Sequence, residues 1–120
     1  MLEVPVSVGE VLDKISILQI KSERITDASK LANVRKELEH LKDAARNHRR
    51  PALEAELKQV NSHLWEIEDR LRVKEKGEEF DAEFIELARA VYITNDRRAE
   101  IKRRINEATG SALIEEKSYA

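Results

Sequence analysis

The chain has 120 residues and nearly balanced charge, because 22 lysines and arginines stand against 24 aspartates and glutamates and leave a net charge of -2. An apolar content of 41% is too high for a disordered tail, and three glycines with two prolines are too few turn residues for an all-β domain. The absence of cysteine excludes disulfides, thiolate zinc sites and cysteine nucleophiles, and it is compatible with a reducing compartment. One helical domain spanning residues 1–120 is therefore expected.

The start of the chain has neither a basic segment nor a long apolar run, and no stretch approaches the ~20 apolar residues of a membrane span. We therefore expect a cytoplasmic protein that does not insert into membranes.

The first residues predict an extended segment followed by a helix. Residues 2–7 alternate apolar and other side chains, and Pro5 would confine such a segment to a sheet edge. Ser7 and Glu10 have the spacing of a capping box, in which the serine hydroxyl accepts one backbone N–H and the glutamate reaches back to another. The first helix should therefore begin directly after Ser7.

Hydrophobic periodicity and capping residues predict four helices. They cover residues 8–25, 28–47, 51–76 and 82–108. Asp27 and Asp81 are suited to cap the second and fourth helices, and Pro51 suits the first turn of the third. Gly77 and Gly110 mark the ends of the last two helices.

The apolar seams of consecutive helices pair as expected for antiparallel hairpins, in which the numbers of facing positions add to a constant. Facing positions of the third and fourth helices have numbers that add to 158, for example Leu57 and Ile101. Facing positions of the first and second helices add to 56, for example Ile15 and Leu41. The predicted fold is all-α, an antiparallel up-down bundle of two helical hairpins. The longer second hairpin should overhang the first, and uncovered apolar surface there favours a homodimer.

The last segment, residues 112–118, has no heptad pattern and is expected to be extended. Pairing with residues 2–7 is one arrangement, and it would cover the edge of both segments.

Arg98 is the least expected residue of the apolar seams, since it interrupts the stripe of the fourth helix within Thr94-Asn95-Asp96-Arg97-Arg98. An arginine at this position must extend to solvent along its methylenes or meet a carboxylate, for which Glu68 and Asp13 are the candidates. It either contributes to a charged pocket for an anionic ligand or fixes the register of the helices.

Trp65, the single tryptophan, lies beside the leucine seam of the third helix on a stripe with Asn61 and Glu68. A tryptophan in this position anchors an interface or fills a gap between helices. On the first helix, Glu10 and Lys14 have the favourable spacing of an exposed ion pair.

Metal and nucleic-acid sites have little support in the sequence. Glu66 with Asp69 and Glu83 with Glu86 have the carboxylate spacing of magnesium sites in helical pyrophosphatases, but in the reverse chain order, so we expect neither a metal site nor a cofactor. The basic clusters are interspersed with acidic residues and aromatics are 4%, so nucleic-acid binding is not expected.

The chain resembles a small bacterial family of unknown function over nearly its whole length. The matching segments are Val6-Ser7-Val8-Gly9-Glu10, Asp13-Lys14, Ile17-Leu18-Gln19-Ile20-Lys21, Leu64-Trp65-Glu66-Ile67-Glu68-Asp69, Asn95-Asp96-Arg97-Arg98, Ile105-Asn106, Ser111 and Glu115-Glu116-Lys117-Ser118-Tyr119. The resemblance implies a setting near glycosyltransferases and surface-polysaccharide functions. It also implies that polar positions of the family pattern, including Glu116 and Lys117, are important for function.

Two functional hypotheses follow. The first is a non-enzymatic helical interaction or accessory module with a protein partner in envelope-polysaccharide biosynthesis; the alternative is a small-ligand protein or enzyme with a polar site for an anionic metabolite. No catalytic residue is assigned. The candidate binding residues are Glu10, Asp13, Lys14, Lys21, Trp65, Glu68, Asn95, Arg98, Glu116 and Lys117.

Overall fold

The computed structural model describes residues 1–118 and confirms the all-α class. Its helices are α1 (Val8–Arg24), α2 (Ala28–Ala45), α3 (Pro51–Lys76) and α4 (Ala82–Thr109). All eight bounds lie within two residues of the predicted ones. Tyr119 and Ala120, the end of the predicted domain, lie outside the described residues.

The predicted capping residues hold the helix starts. Ser7, Asp27 and Asp81 each accept a hydrogen bond from the backbone N–H three residues further on, at 2.9–3.1 Å. Pro51 lies in the first turn of α3, where its missing N–H costs no hydrogen bond. Gly110 ends α4 in the left-handed region with a φ of 64°, which glycine adopts without strain.

The second half of the predicted capping box is not formed. The carboxylate of Glu10 accepts a hydrogen bond from Lys102 Nζ at 2.7 Å, and the Lys102 side chain is only 8% exposed. A charge-assisted bond to a buried ammonium is stronger than one to a backbone N–H at the helix start, so the tertiary contact takes the carboxylate.

The four helices form two hairpins, with α1 as the central helix. It packs against α2, α3 and α4, whereas among these described helices α2 comes within 8 Å, Cα to Cα, of α1 alone. The burial of α1 therefore extends beyond the seam that faces α2, since Leu12 and Ile20 are buried in addition to Ile15 and Leu18. A helix with partners on several sides buries several stripes.

The apolar core lies where α1 covers the α3–α4 hairpin. We call this covered part, residues 51–67 and 94–109, the proximal half, and the rest, residues 68–93 with the turn between the helices, the distal half. Leu12, Ile15 and Leu57 are at most 1% exposed, as is Ile105. With 17 residues, α1 is too short to cover helices of 26 and 28 residues along their whole length. The second hairpin thus overhangs the first, as predicted.

The extended terminal segments do not pair as strands. No strand occurs in residues 1–118, and the apolar side chains of Leu2 and Val4 are exposed. Ser111 links the two ends instead, because its hydroxyl accepts the N–H of Val8 at 3.2 Å. The C-terminal segment is instead held against α4 by side-chain ion pairs, such as Glu115 with Lys102.

Candidate functional site

Asp13 and Arg98 form a buried ion pair between α1 and α4. The Asp13 side chain is fully buried, and the Arg98 side chain is 28% exposed. Arg98 Nε donates to both carboxylate oxygens at 3.0 and 3.1 Å, and Nη2 donates to Oδ2 as well. The hydrogen bond with Asp13 raises the pKa of Arg98 above its ordinary value, although burial opposes this. Of the two predicted partners of Arg98, Asp13 is confirmed and Glu68 is wrong.

Asn61 connects this ion pair to α3. Its amide donates to Asp13 Oδ1 at 2.8 Å and to Ser16 Oγ at 2.7 Å, and it is buried. The Ser16 hydroxyl in turn donates to the Asp13 carbonyl at 2.8 Å. Three helices therefore share one buried polar network, which fixes their relative register.

Lys102 lies one turn along α4 from Arg98 and bridges α1 to the C-terminal segment. Its ammonium donates to Glu10 at 2.7 Å and to Glu115 at 3.0 Å. Burial alone would lower the pKa of Lys102, but the hydrogen bonds to these two carboxylates outweigh it and raise the pKa.

The first turn of α1 packs directly against α4 at Gly9. The Gly9 N–H donates to Asn106 Oδ1 at 2.7 Å, and Asn106 is 2% exposed. A Cβ at position 9 would lie 2.6 Å from the Lys102 carbonyl oxygen and 2.9 Å from Asn106 Oδ1. Only glycine allows this approach. With Ser111 and Ser7 accepting the neighbouring N–H groups, the first turn of α1 already has hydrogen-bond partners.

A small polar cavity of about 210 Å³ lies over this network. It is lined by Glu10, Asn95, Arg98, Ala99, Lys102, Glu115 and Lys117. The cavity has three cations and two carboxylates, and the nearby Asp13 makes the charges equal in number. In residues 1–118, every buried side-chain nitrogen and oxygen has a hydrogen-bond partner. The arrangement is suited to holding helices together, since Arg98 already binds Asp13 and Lys102 already binds Glu10 and Glu115.

Comparison with known proteins places the chain in a family. A family model described as a family of unknown function (DUF6165) matches residues 2–120. The chain belongs to this family. No curated protein matches it, and no solved structure does. The predicted membership of a family of unknown function is confirmed, whereas the bacterial setting and the link to glycosyltransferases stay predictions.

The structure brings six of the ten candidate binding residues of this DUF6165 member to one region. Glu10, Asp13, Asn95, Arg98 and Lys117 lie at or beneath the polar cavity. Glu116 lies beside it and pairs with Arg103 at 3.1 Å.

The other four candidate residues lie elsewhere. Lys14 is exposed and pairs with Glu37 at 3.7 Å, so the predicted pair with Glu10 is not formed. Lys21 is half-buried in the last turn of α1. Trp65 is half-buried beneath the guanidinium of Arg24, 5.8 Å from the ring centroid, which is a cation–π distance. Glu68 is exposed on α3.

Sequence reasoning did not recognise Lys102, Asn106, Gly9 and Ser16 as members of the network. Lys102 was one of several basic residues in a cluster, and nothing in its spacing distinguished it from its exposed neighbours. Gly9 did carry a signal, because a glycine in the first turn of a helix costs stability unless a close approach requires it.

Two of the four carboxylates considered for magnesium pair with cations. Glu66 pairs with Arg24 at 3.4 Å, and Glu83 pairs with both Arg70 and Lys74. Within residues 1–118, no group of three or more histidine, aspartate or glutamate side chains is arranged to hold a metal ion. None of the helices in this part of the chain has the length and apolar character of a membrane-spanning segment.

The distal half of the hairpin presents a groove of different character, which we call the distal groove. It has a volume of about 570 Å³ and is lined by Leu71, Arg72, Glu75, Lys76, Phe84, Ala88 and Val91. Large apolar side chains are exposed around this end of the hairpin. Their exposed fractions are 72% for Val73, 58% for Phe80, 58% for Ile85, 56% for Tyr92 and 48% for Ile93.

Proposed function

We propose that the chain is a non-enzymatic helical interaction module whose distal groove binds the apolar face of a partner helix. The proposal rests on one observation: the surface of α3 and α4 that binds α1 continues along both helices into the distal groove. The α3 stripe of Asn61 and Trp65, which faces α1, continues at helical spacing through Arg72 to Glu75. On α4, the stripe of Lys102 and Arg98 continues in the same way to Val91, Ala88 and Phe84.

In the proximal half, the amphipathic helix α1 covers the surface between α3 and α4. In the distal half, the same two helices line the groove, and no other described helix covers it. Leu71, Leu87 and Val91 are only half-buried there. Contiguous exposed apolar surface with a polar rim is typical of protein–protein interaction sites. The family resemblance suggests envelope-polysaccharide biosynthesis as the setting of the partner.

The alternative, a site for an anionic metabolite at the polar cavity, has less support. Arg98 already binds Asp13, and Lys102 already binds Glu10 and Glu115. An anion would have to displace one of these carboxylates to reach either cation.

Site-specific photo-cross-linking tests the interaction module. A photoreactive amino acid at position 88, which is exposed in the distal groove, is compared with the same amino acid at position 32, an exposed alanine of α2. We expect position 88 alone to cross-link a protein, and we expect the purified, identified protein to bind wild type at least tenfold more tightly than the Ala88→Glu variant. Absence of any cross-link specific to position 88 would contradict the proposal.

A further inference from the structure

We propose that the C-terminal segment, residues 112–118, is an internal ligand of the polar cavity, and that a compact anion with more than one negative charge binds there when the segment leaves. The segment contributes Glu115 and Lys117 to the lining of the cavity. Inorganic pyrophosphate is an anion of this class. The proposal concerns a site other than the distal groove and does not depend on what binds there.

The C-terminal segment is attached to α4 through charged side chains. The ion pairs are Glu115–Lys102 at 3.0 Å, Glu116–Arg103 at 3.1 Å and Lys117–Asp96 at 3.9 Å. Apolar burial contributes little, because Leu113 and Ile114 are 46% and 43% exposed. Within the described part of the chain, no backbone-to-backbone hydrogen bond joins residues 112–118 to the helices. Competing ions weaken an attachment of this kind.

Ser111 is the point about which the segment can move. Its N–H donates to the Asn106 carbonyl at 2.9 Å, and its hydroxyl accepts the Val8 N–H at 3.2 Å. The same hydroxyl donates to the Leu113 carbonyl at 2.8 Å. These bonds hold the start of the segment to α1 and α4, so residues 114–118 can leave the cavity while the helices stay packed.

Glu115 is the carboxylate that an external anion can replace. Asp13 is fully buried, so it stays with Arg98. Glu10 and Glu115 are similarly exposed, at 40% and 42%, but they differ in their backbones. Glu10 belongs to the packed first turn of α1, and its charge remains beside the cavity whatever its rotamer. Glu115 takes its charge away when the segment leaves.

The groups that the segment uncovers lie on one face of α4. Arg98 and Lys102 are one helical turn apart, and both line the cavity together with the Asn95 amide. Arg98 donates to Asp13 through Nε and Nη2, so its Nη1 is not engaged by that carboxylate. Lys102 loses one of its two carboxylates when Glu115 departs. Two neighbouring cations then face the vacated space.

The tether determines how much charge the anion needs. A group held on a short flexible linker has an effective concentration in the millimolar range, which a free carboxylate making the same single contact does not overcome. An anion with several charged oxygens binds Arg98 and Lys102 at once, and charge-assisted hydrogen bonds to both cations are stronger than one. This comparison favours a diphosphate-like anion over a simple carboxylate.

Nuclear magnetic resonance of the full chain tests the proposal with inorganic pyrophosphate up to about 10 mM. We expect the amide signals of residues 98–103 to shift, and the heteronuclear NOE of residues 114–118 to fall over the same concentrations, because binding requires release of the segment. NaCl alone at the same ionic strength measures general screening and should release the segment less.

A double substitution removes the internal competitor. Glu115→Gln with Glu116→Gln should lower the pyrophosphate Kd about fivefold or more. Glu39→Gln with Glu86→Gln makes the same change in net charge at exposed positions away from the cavity, and this variant should bind within about twofold of wild type. Far-UV circular dichroism checks that each variant keeps its helices.

A substitution of the cation tests the location of the site. Lys102→Gln, added to the double variant, should abolish binding, whereas Lys36→Gln at an exposed position of α2 should not. Binding that survives Lys102→Gln overturns the proposal. So does a double glutamine variant that binds no pyrophosphate or binds it no more tightly than wild type, a segment that stays attached when pyrophosphate is bound, or NaCl that releases the segment as fully as pyrophosphate.

Discussion

The two halves of the α3–α4 hairpin are built from the same two helices but are stabilised in different ways. In the proximal half, α1 covers the apolar seam, and a buried network of Asp13, Asn61 and Arg98 fixes its register. In the distal half, the seam is covered on fewer sides and apolar side chains such as Phe80 and Ile85 remain exposed. One half satisfies its polar and apolar groups within the chain, and the other leaves apolar surface exposed.

The distal half is nevertheless ordered by a polar cluster of its own, at the turn between the two helices. The Lys74 side chain is 9% exposed and donates to both oxygens of Asp81, at 2.9 and 3.1 Å, with Glu79 and Glu83 within 3.5 Å. Because Asp81 also caps α4, this cluster fixes the turn without apolar burial. Substitutions should therefore cost most in the proximal half and least in the distal half.

The largest effect is expected for Asp13→Ala. The change leaves the Arg98 guanidinium partly buried without its carboxylate and removes two acceptors of the Asn61 and Arg98 hydrogen bonds, so we expect a loss of about 3 kcal/mol in the free energy of unfolding. Asp69→Ala, at an exposed position of the distal half, is the matched control and should change stability by no more than about 0.5 kcal/mol. Urea denaturation measures both. Equal losses of unfolding free energy in the two variants would contradict the expectation that the proximal half is the more sensitive to substitution.

The next effect is expected for Gly9→Ala. Intrinsic helix propensity favours alanine over glycine by about 1 kcal/mol, but here the new Cβ would meet the Lys102 carbonyl at 2.6 Å, so we expect a loss of about 2 kcal/mol. Gly77→Ala serves as the comparison in the distal half, since the nearest atom to its Cβ is 3.5 Å away. Thermal unfolding should show Gly9→Ala melting well below wild type and Gly77→Ala close to it. A stabilised Gly9→Ala would show that α1 does not sit this close to α4.

A smaller effect of opposite sign is expected for Glu78→Gly. Glu78 has a φ of 54°, in the left-handed region that side chains other than glycine adopt at a cost. The N–H of Glu79 bonds to the Lys74 carbonyl at 2.9 Å, which identifies the turn after α3 as a Schellman motif with Glu78 at its left-handed position. We expect glycine to stabilise the chain by about 1 kcal/mol in urea denaturation. Glu79→Gly, one residue later, should bring no gain.

The smallest effect is a pH dependence at the same turn. The hydrogen bond from Lys74 lowers the pKa of Asp81 below its ordinary value of 3.8, with a further contribution from the Phe84 N–H. A carboxyl group whose pKa is lowered on folding contributes stability above its ordinary pKa, and this contribution is lost as the pH falls through the lowered value. Asp81→Asn keeps a capping side chain but lacks the charge. The loss of stability of Asp81→Asn relative to wild type, measured by urea denaturation, should therefore be present at pH 7 and vanish in acid.

The Lys74→Met background provides the control for this titration. Without the ammonium, the Phe84 N–H still lowers the pKa of Asp81, so Asp81→Asn should change the slope of stability against pH less than it does in the wild-type background. A slope that is unaltered by Asp81→Asn in the wild-type background would show that the turn cluster does not contribute.

Local sequence patterns determined the helices and their ends because these depend on neighbouring residues. Ser7, Asp27 and Asp81 cap as predicted, since the acceptor and its N–H lie within one turn of each other. The overhang of the second hairpin also followed from helix lengths alone. The seam position of Arg98 predicted either a side chain that extends to solvent or a carboxylate partner, and spacing could not choose between these outcomes or between Asp13 and Glu68 as the partner.

The tertiary structure decided which helix is central and which polar groups meet. Lys102 reaches Glu10 across 92 positions of sequence and Gly9 reaches Asn106 across 97, and no local pattern encodes separations of this length. The packing of α1 against three helices also buried residues outside its predicted seam and took Glu10 away from its capping role. The sequence alone thus determined the helices, through short-range hydrogen bonds and periodicity, whereas the polar network and the open groove depend on how those helices exclude water from one another in three dimensions.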